Sequence, residues 1–196
     1  MSMQTYIFVG RSGCGKGTQA NILEEYLKKN YSQHPVLHVS SGDEFRKFAK
    51  EKNYSGDIAG GIMKEGGLPP TFLSIHLWSD VLVENVKNNE HIIIDGFPRR
   101  PSEAEILDTA LGFYKRERPT VILIRVSEEE ATKRLLARKR GDDELHNIKI
   151  RMDWYNRFVL PTTEFYREHP WYNFVEVNGE QSVEGVSKEM IAKIFK

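Results

Sequence analysis

The chain is poor in cysteine: Cys14 stands alone among 196 residues. One thiol closes no internal disulfide, which suits a reducing compartment, and it rules out a cysteine-rich zinc site. The six histidines show no ligand-like spacing. Net charge is missing too, with 28 Lys+Arg against 28 Asp+Glu. That balance argues against a protein built mainly to hold a nucleic-acid backbone, although a local basic patch stays compatible with it. No apolar run approaches the roughly 18 residues of a membrane span. The opening MSMQTYIFVG carries no basic stretch leading into a long apolar segment, so no signal peptide is expected. The expected location is therefore the cytoplasm, without membrane or nucleic-acid partners. Internal repeats and low-complexity tracts are absent as well.

What the chain does have is alternation. TYIFVG (5–10), PVLHVSS (35–41), EHIIIDGFP (90–98), PTVILIRV (119–126) and YNFVEVNG (172–179) read as strands. Ile92, Ile93 and Ile94 in a row suit a strand covered on both faces. Helical spacing fills 16–29, 72–87, 103–111, 128–138, 144–168 and 182–195. Strands alternating with helices predict an α/β fold, a five-stranded parallel sheet flanked by helices. The length suits one domain with small insertions, and a hydrophobic fraction of 39% fits a globular core. Residues 42–71 break the pattern. They offer helical pieces at Glu44–Lys50 and Gly56–Lys64 and then EGGLPPT, so a small helical insertion is expected there. Trp78, Trp154 and Trp171 have no cage-like spacing and read as packing residues.

Between the first strand and the first helix lies GRSGCGKGT (10–18). Gly10, Gly15 and Lys16 fit G-x-x-x-x-G-K in the strand–helix setting that makes this pattern informative. Such glycines let successive N–H groups face inward, and the helix N-terminus adds partial positive charge for a phosphate. Lys16 can reach the β- and γ-phosphates as a flexible point charge. Cys14 reads as a small loop side chain rather than a catalytic or redox residue. Gly17 stands where most phosphate loops carry serine or threonine; the hydroxyl arrives one residue later, at Thr18.

In that detail GRSGCGKGTQ resembles the G-x-P-G-x-G-K-G-T-Q loop of adenylate kinases and their nucleoside monophosphate kinase relatives, with Ser12 in place of proline. Further segments carry the resemblance along nearly the whole chain. HVSSGDEFR (38–46) is similar to the family's S-T-G-D-x-L-R, GGLPP (66–70) to its G-x-L-V, and IIIDGFPRR (92–100) matches its D-G-F-P-R. TKRLLAR, RGDD and Arg151 resemble the arginine cluster around the family's lid, and VNGEQSVEGV (177–186) its closing loop.

The resemblance implies a P-loop nucleoside triphosphate hydrolase-type fold with a core at 1–40, 72–137 and 144–196, a monophosphate-binding insertion at 41–71 and a minimal lid at 138–143. It implies Mg²⁺-dependent transfer of the γ-phosphoryl of ATP to AMP; a monomer is expected, because two nucleotide sites and the arginine cluster can be built within one chain. Lys16, Arg99, Arg138, Arg140 and Arg151 would be catalytic. Gly10, Ser12, Gly13, Cys14, Gly15, Lys16, Gly17, Thr18, Arg134 and Gln181 would bind ATP. Ser41, Gly42, Arg46, Met63, Leu68, Pro69, Gly96, Arg99 and Glu103 would bind the monophosphate. Thr18, Asp43 and Asp95 would meet the metal, mainly through water. Read from the residues alone, Ser41 or Asp43 caps a helix and Arg46 is a solvated charge.

Two departures stand out. Adenylate kinases carry an adenine-reading glutamine where this chain has Glu103. An ionised carboxylate only accepts, which suits the N1–H and amino group of guanine, so a kinase preferring GMP or another monophosphate stays open. Alternatively, Glu103 points away from the base. The second departure is the lid: only Lys139 separates Arg138 from Arg140. So small a lid, with no zinc, leaves water exclusion to the arginines and the insertion, and an uncoupled ATPase is expected. A non-catalytic ATP-binding module and a plain P-loop ATPase are further alternatives, both disfavoured by Arg46 and Arg99.

Overall fold

A computed structural model describes residues 3–138 and 143–195. Strands β1 (Thr5–Val9), β2 (Val36–Ser40), β3 (His91–Asp95), β4 (Thr120–Arg125) and β5 (Asn173–Asn178) form one sheet. Its order is β2-β3-β1-β4-β5 and every pairing is parallel. β1 lies at the centre, with Ile7 opposite Ile94 of β3 and Val121 of β4.

The apolar runs are covered on both faces, as a parallel sheet requires. Tyr6, Phe8, Ile93, Ile122 and Ile124 face one core. It is closed by α1 (Lys16–Asn30), α6 (Glu128–Arg138), α7 (Leu145–Trp154) and α9 (Val183–Ile194). Ile7, Val9, Ile92, Ile94, Val121 and Leu123 face the other, under α4 (Thr71–Asn85), α5 (Pro101–Phe113) and α8 (Leu160–Glu168). Here Trp78 stacks on Phe97 at 5.3 Å.

The insertion contains α2 (Ser41–Phe48) and α3 (Tyr54–Lys64), whose Phe45 and Ala59 pack with Leu73 of α4 in a small third core flanked by Met63. The second strand ends sooner than its sequence suggests. Ser40, not Ser41 or Asp43, caps α2, its hydroxyl accepting from the Asp43 N–H at 3.4 Å. The single helix expected over 144–168 is divided by a π-helical turn at Tyr155–Val159. Leu160 donates its N–H to the Tyr155 carbonyl, five residues back. Pro161, which follows, has no N–H to continue the α-helical ladder.

His91 opens β3 fully buried. Its Nδ1 accepts the Gln4 N–H at 3.1 Å. Burial, helped by the nearby charges of His34 and Arg116, pushes its pKa down to about 4. The unfolded chain protonates this histidine near pH 6.5 and the native chain does not, so native stability falls as pH drops from about 6.5 towards 4. Between pH 7 and 5 the loss should be about 1–2 kcal/mol. Urea unfolding at both pH values checks this: wild type should lose more than His91→Gln, and equal losses would remove His91 as the source.

Candidate active site

All five strands point their C-terminal ends to one edge, where ligands of open parallel sheets bind. Two joined cavities lie there, of about 150 and 800 Å³. They share Lys16, Arg46, Arg99 and Arg138 in their walls.

The loop after β1 lines the larger cavity from Ser12 to Thr18. Gly10 lines the smaller. Gly15 precedes α1 at φ 97°, in the left-handed region, and the first-turn residues Lys16, Gly17 and Thr18, at a helix end whose N–H groups have no intrahelical acceptors, line the cavity. Lys16 Nζ donates to the carbonyls of Gly10 and Arg11, both at 2.8 Å, and lies 3.6 Å from Cys14 Sγ. Cys14 packs into the core beneath the loop. Gly17 has a spatial reason: a Cβ there would stand 3.3 Å from Asp95 Oδ2. The carboxylate ending β3 lies tight against the place where the usual serine or threonine side chain would start.

Asp95, Asp43 and Thr18 line the larger cavity. Against the upward push of burial, hydrogen bonds from Arg46 and Ser40 hold the Asp43 carboxyl below the usual range. This all-oxygen set suits Mg²⁺ bound through its waters. Among the described residues, no three His, Cys, Asp or Glu side chains gather closely enough to hold a metal directly. Arg134 bridges Glu130 (2.7 Å) and the Gly179 carbonyl (2.8 Å), forming a wall with Gln181.

Around the smaller cavity, Arg99 donates from Nε to the Gly96 carbonyl (2.6 Å) and from Nη2 to the Ser41 hydroxyl (3.3 Å). Burial lowers its pKa, opposed by Glu103 and Asp95. Arg46 lies over Gly42 and pairs with Asp43 at 2.5 Å. Met63 and Pro69 complete this side. Arg138 grips Asp143 with two bonds of 2.7 and 2.8 Å, and Arg151 reaches the same carboxylate at 3.0 Å. Asp143 thus holds two guanidinium groups at the cavity from two helices. Arg140 and Asp142 lie outside the described residues.

Three expected site residues do not reach the cavity walls. Ser41 is buried, its hydroxyl donating to the Gly96 carbonyl at 2.7 Å. Leu68 is half-buried beside the lining residues Gly67 and Pro69. Glu103 is fully buried. Its carboxylate accepts the Arg99 N–H (3.0 Å), the Ser74 hydroxyl (3.3 Å) and Arg100 (3.2 Å). It therefore braces the start of α5 and the Arg99 main chain.

Other wall residues were missed in the sequence. Gly66 and Gly67 line the smaller cavity beside Pro69, and His38, paired with Glu24 at 2.8 Å, lines the larger. Trp154, read as packing, lines the smaller cavity. Its signal was position: three residues after Arg151, on the same helical face.

A family model described as adenylate kinase matches residues 8–170. The chain is 35% identical to an adenylate kinase of Azobacteroides pseudotrichonymphae genomovar. CFP2, over 94% of each chain. It is also 35% identical to an adenylate kinase of Leptospira biflexa serovar Patoc, over 98% of this chain and all of the relative. To that of Oenococcus oeni it is 33% identical, over 90% of this chain and 91% of the relative. With the loop, the paired cavities and the arginine cluster on one sheet edge, these matches over nearly the full length mean that the chain belongs to the adenylate kinase family.

Proposed function

We propose that the chain transfers the γ-phosphoryl of ATP to AMP, giving two ADP, with ATP in the larger cavity and the AMP phosphate in the smaller. The observation that carries this reading is the meeting of Lys16, Arg99 and Arg138 on the wall common to both cavities, with Arg151 beside them. An oxygen of the AMP phosphate attacks the γ-phosphorus, and the bond from that phosphorus to the β-γ bridging oxygen breaks. No covalent intermediate on the protein is needed; catalysis is positioning and charge stabilisation.

Lys16 leaves its carbonyl partners for the β- and γ-phosphates. Arg99 and Arg46 hold the acceptor phosphate, and Arg138 and Arg151 meet the equatorial oxygens of the transferring group. Arg140 is assigned to the same cluster from the family resemblance. Asp95, Asp43 and Thr18 would hold waters of the Mg²⁺ that accompanies ATP, which would supply charge neutralisation at the phosphates. Arg134 and Gln181 border the ATP base; Met63, Pro69 and Gly42 border the acceptor. In domain terms, 41–71 is the acceptor insertion and 138–143 a minimal lid without zinc. The working unit is a cytoplasmic monomer, a reading supported by two cavities built from one chain and by the single thiol.

The engagement of Glu103 by Ser74, Arg99 and Arg100 removes the motive for a guanine preference. Initial rates of ADP formation with ATP, Mg²⁺ and each of AMP, GMP, CMP, UMP and dTMP should favour AMP by about tenfold or more. A higher rate with GMP would overturn the base assignment. ADP formation no faster than in a control without acceptor would overturn transfer itself.

Asp143→Asn keeps the shape of the side chain while removing the negative charge that orders Arg138 and Arg151. We expect kcat to fall by about 10²-fold with both KM values within about threefold, because these arginines act mainly on the transition state. A rise in KM at unchanged kcat would instead assign the pair to ground-state binding.

A further inference from the structure

The return arm of the insertion, residues 64–69, offers three main-chain carbonyls to side chains outside it. Asn147 Nδ2 donates to Lys64 O at 2.9 Å, Trp154 Nε1 to Gly66 O at 3.1 Å, and Arg100 to Pro69 O at 3.1 Å. The arm lies so close to α7 that a Cβ on Gly66 would stand 2.7 Å from the Asn147 carbonyl. Asn147, Arg151 and Trp154 fall at i, i+4 and i+7 and share one face of α7. Of the three donors, Trp154 alone also lines the smaller cavity and meets Arg99, whose guanidinium carbon lies 5.5 Å from the indole ring centroid.

We propose that Trp154 is a positioning residue for the acceptor monophosphate. Its indole N–H fixes the insertion through the Gly66 carbonyl, and its ring face holds the Arg99 guanidinium at the cavity. A cation over an aromatic face is attracted by the ring quadrupole, so the indole steadies Arg99 without competing for the N–H groups that a phosphate needs. The same side chain thereby joins three parts of the acceptor pocket: the return arm, Arg99 after β3, and the face of α7 that carries Arg151. Because its contacts lie on the acceptor side, its influence falls on AMP rather than ATP. The inference rests on the smaller cavity being the acceptor phosphate site.

The test uses the full chain and two variants. Trp154→Phe keeps a ring over Arg99 and loses the donor to Gly66; Trp154→Leu loses both. Removing one neutral hydrogen bond should raise the AMP KM about threefold, and removing the ring as well about tenfold. The ATP KM should stay within about twofold and Tm within about 4 °C in Trp154→Phe. A second readout is emission. AMP should change wild-type tryptophan fluorescence, and that change should vanish in Trp154→Phe, where Trp78 and Trp171 remain. An AMP KM within twofold of wild type in both variants would overturn the proposal. So would AMP and ATP KM values rising together with a fall in Tm, the mark of general packing. Wild-type protein that phosphorylates no monophosphate would overturn the functional reading instead.

Discussion

Like charges gathered in one cleft repel, and the architecture of this site follows from that constraint. Lys16, Arg46, Arg99, Arg138 and Arg151 line adjoining cavities on one sheet edge. Two unit charges about 8 Å apart at an effective dielectric of 20 cost roughly 2 kcal/mol. The chain answers by giving the cations acceptors of its own. Lys16 has two loop carbonyls, Arg99 a carbonyl and a hydroxyl, Arg46 has Asp43, and Arg138 and Arg151 share Asp143. These partners differ in kind. Neutral carbonyls and a hydroxyl yield easily to phosphate, so Lys16 and Arg99 can exchange them for substrate oxygens. The buried carboxylate of Asp143 is a stronger partner, and it keeps Arg138 and Arg151 in place whether phosphate is present or not.

A second constraint, of space, explains the loop's departure from the commoner pattern. On the proposed reading, Asp95 stands close to the loop to present oxygen to a hydrated cation. Gly17 leaves the space, with Asp95 Oδ2 only 3.3 Å from where a Cβ would be. The hydroxyl displaced from that position reappears at Thr18, exposed on the first turn of α1 and lining the larger cavity. Gly17 and Asp95 are thus two halves of one arrangement, 78 residues apart in the chain and joined by the pairing of β1 with β3.

The sheet was legible because its strands are short apolar runs between helical periods, and Ile92–Ile94 could hardly read otherwise. The loop was legible because glycines and a lysine at fixed spacing have one common use. Other features depend on distance in space. Glu103 reads as a base-facing residue until Ser74 of α4 and the Arg99 N–H close around it. Ser41 looks like a ligand contact until Ser40 takes the cap and Ser41 turns to Gly96. The π-helical turn at Tyr155–Val159 leaves the apolar spacing nearly unaltered, so period alone does not expose it. Trp154 finds its partner Gly66 at a separation of 88 residues, beyond any local pattern.

On the proposed reading, a minimal lid shifts work to the opposite wall. Where few residues separate Arg138 from Asp143, little chain is available to cover the phosphates from the donor side. On that reading covering comes from elements that already flank the cavity, and the return arm of the insertion is one of them. Its carbonyls at 64, 66 and 69 are held by Asn147, Trp154 and Arg100, which stand on α7 and at the start of α5. Arg100 also packs on Phe158 in the π-helical turn, at 4.9 Å. The acceptor wall is therefore braced on the segment that carries Arg151. Fixing that wall reduces the number of arrangements in which the acceptor oxygen and the γ-phosphorus are misaligned, which is the route by which positioning accelerates a transfer without a protein nucleophile.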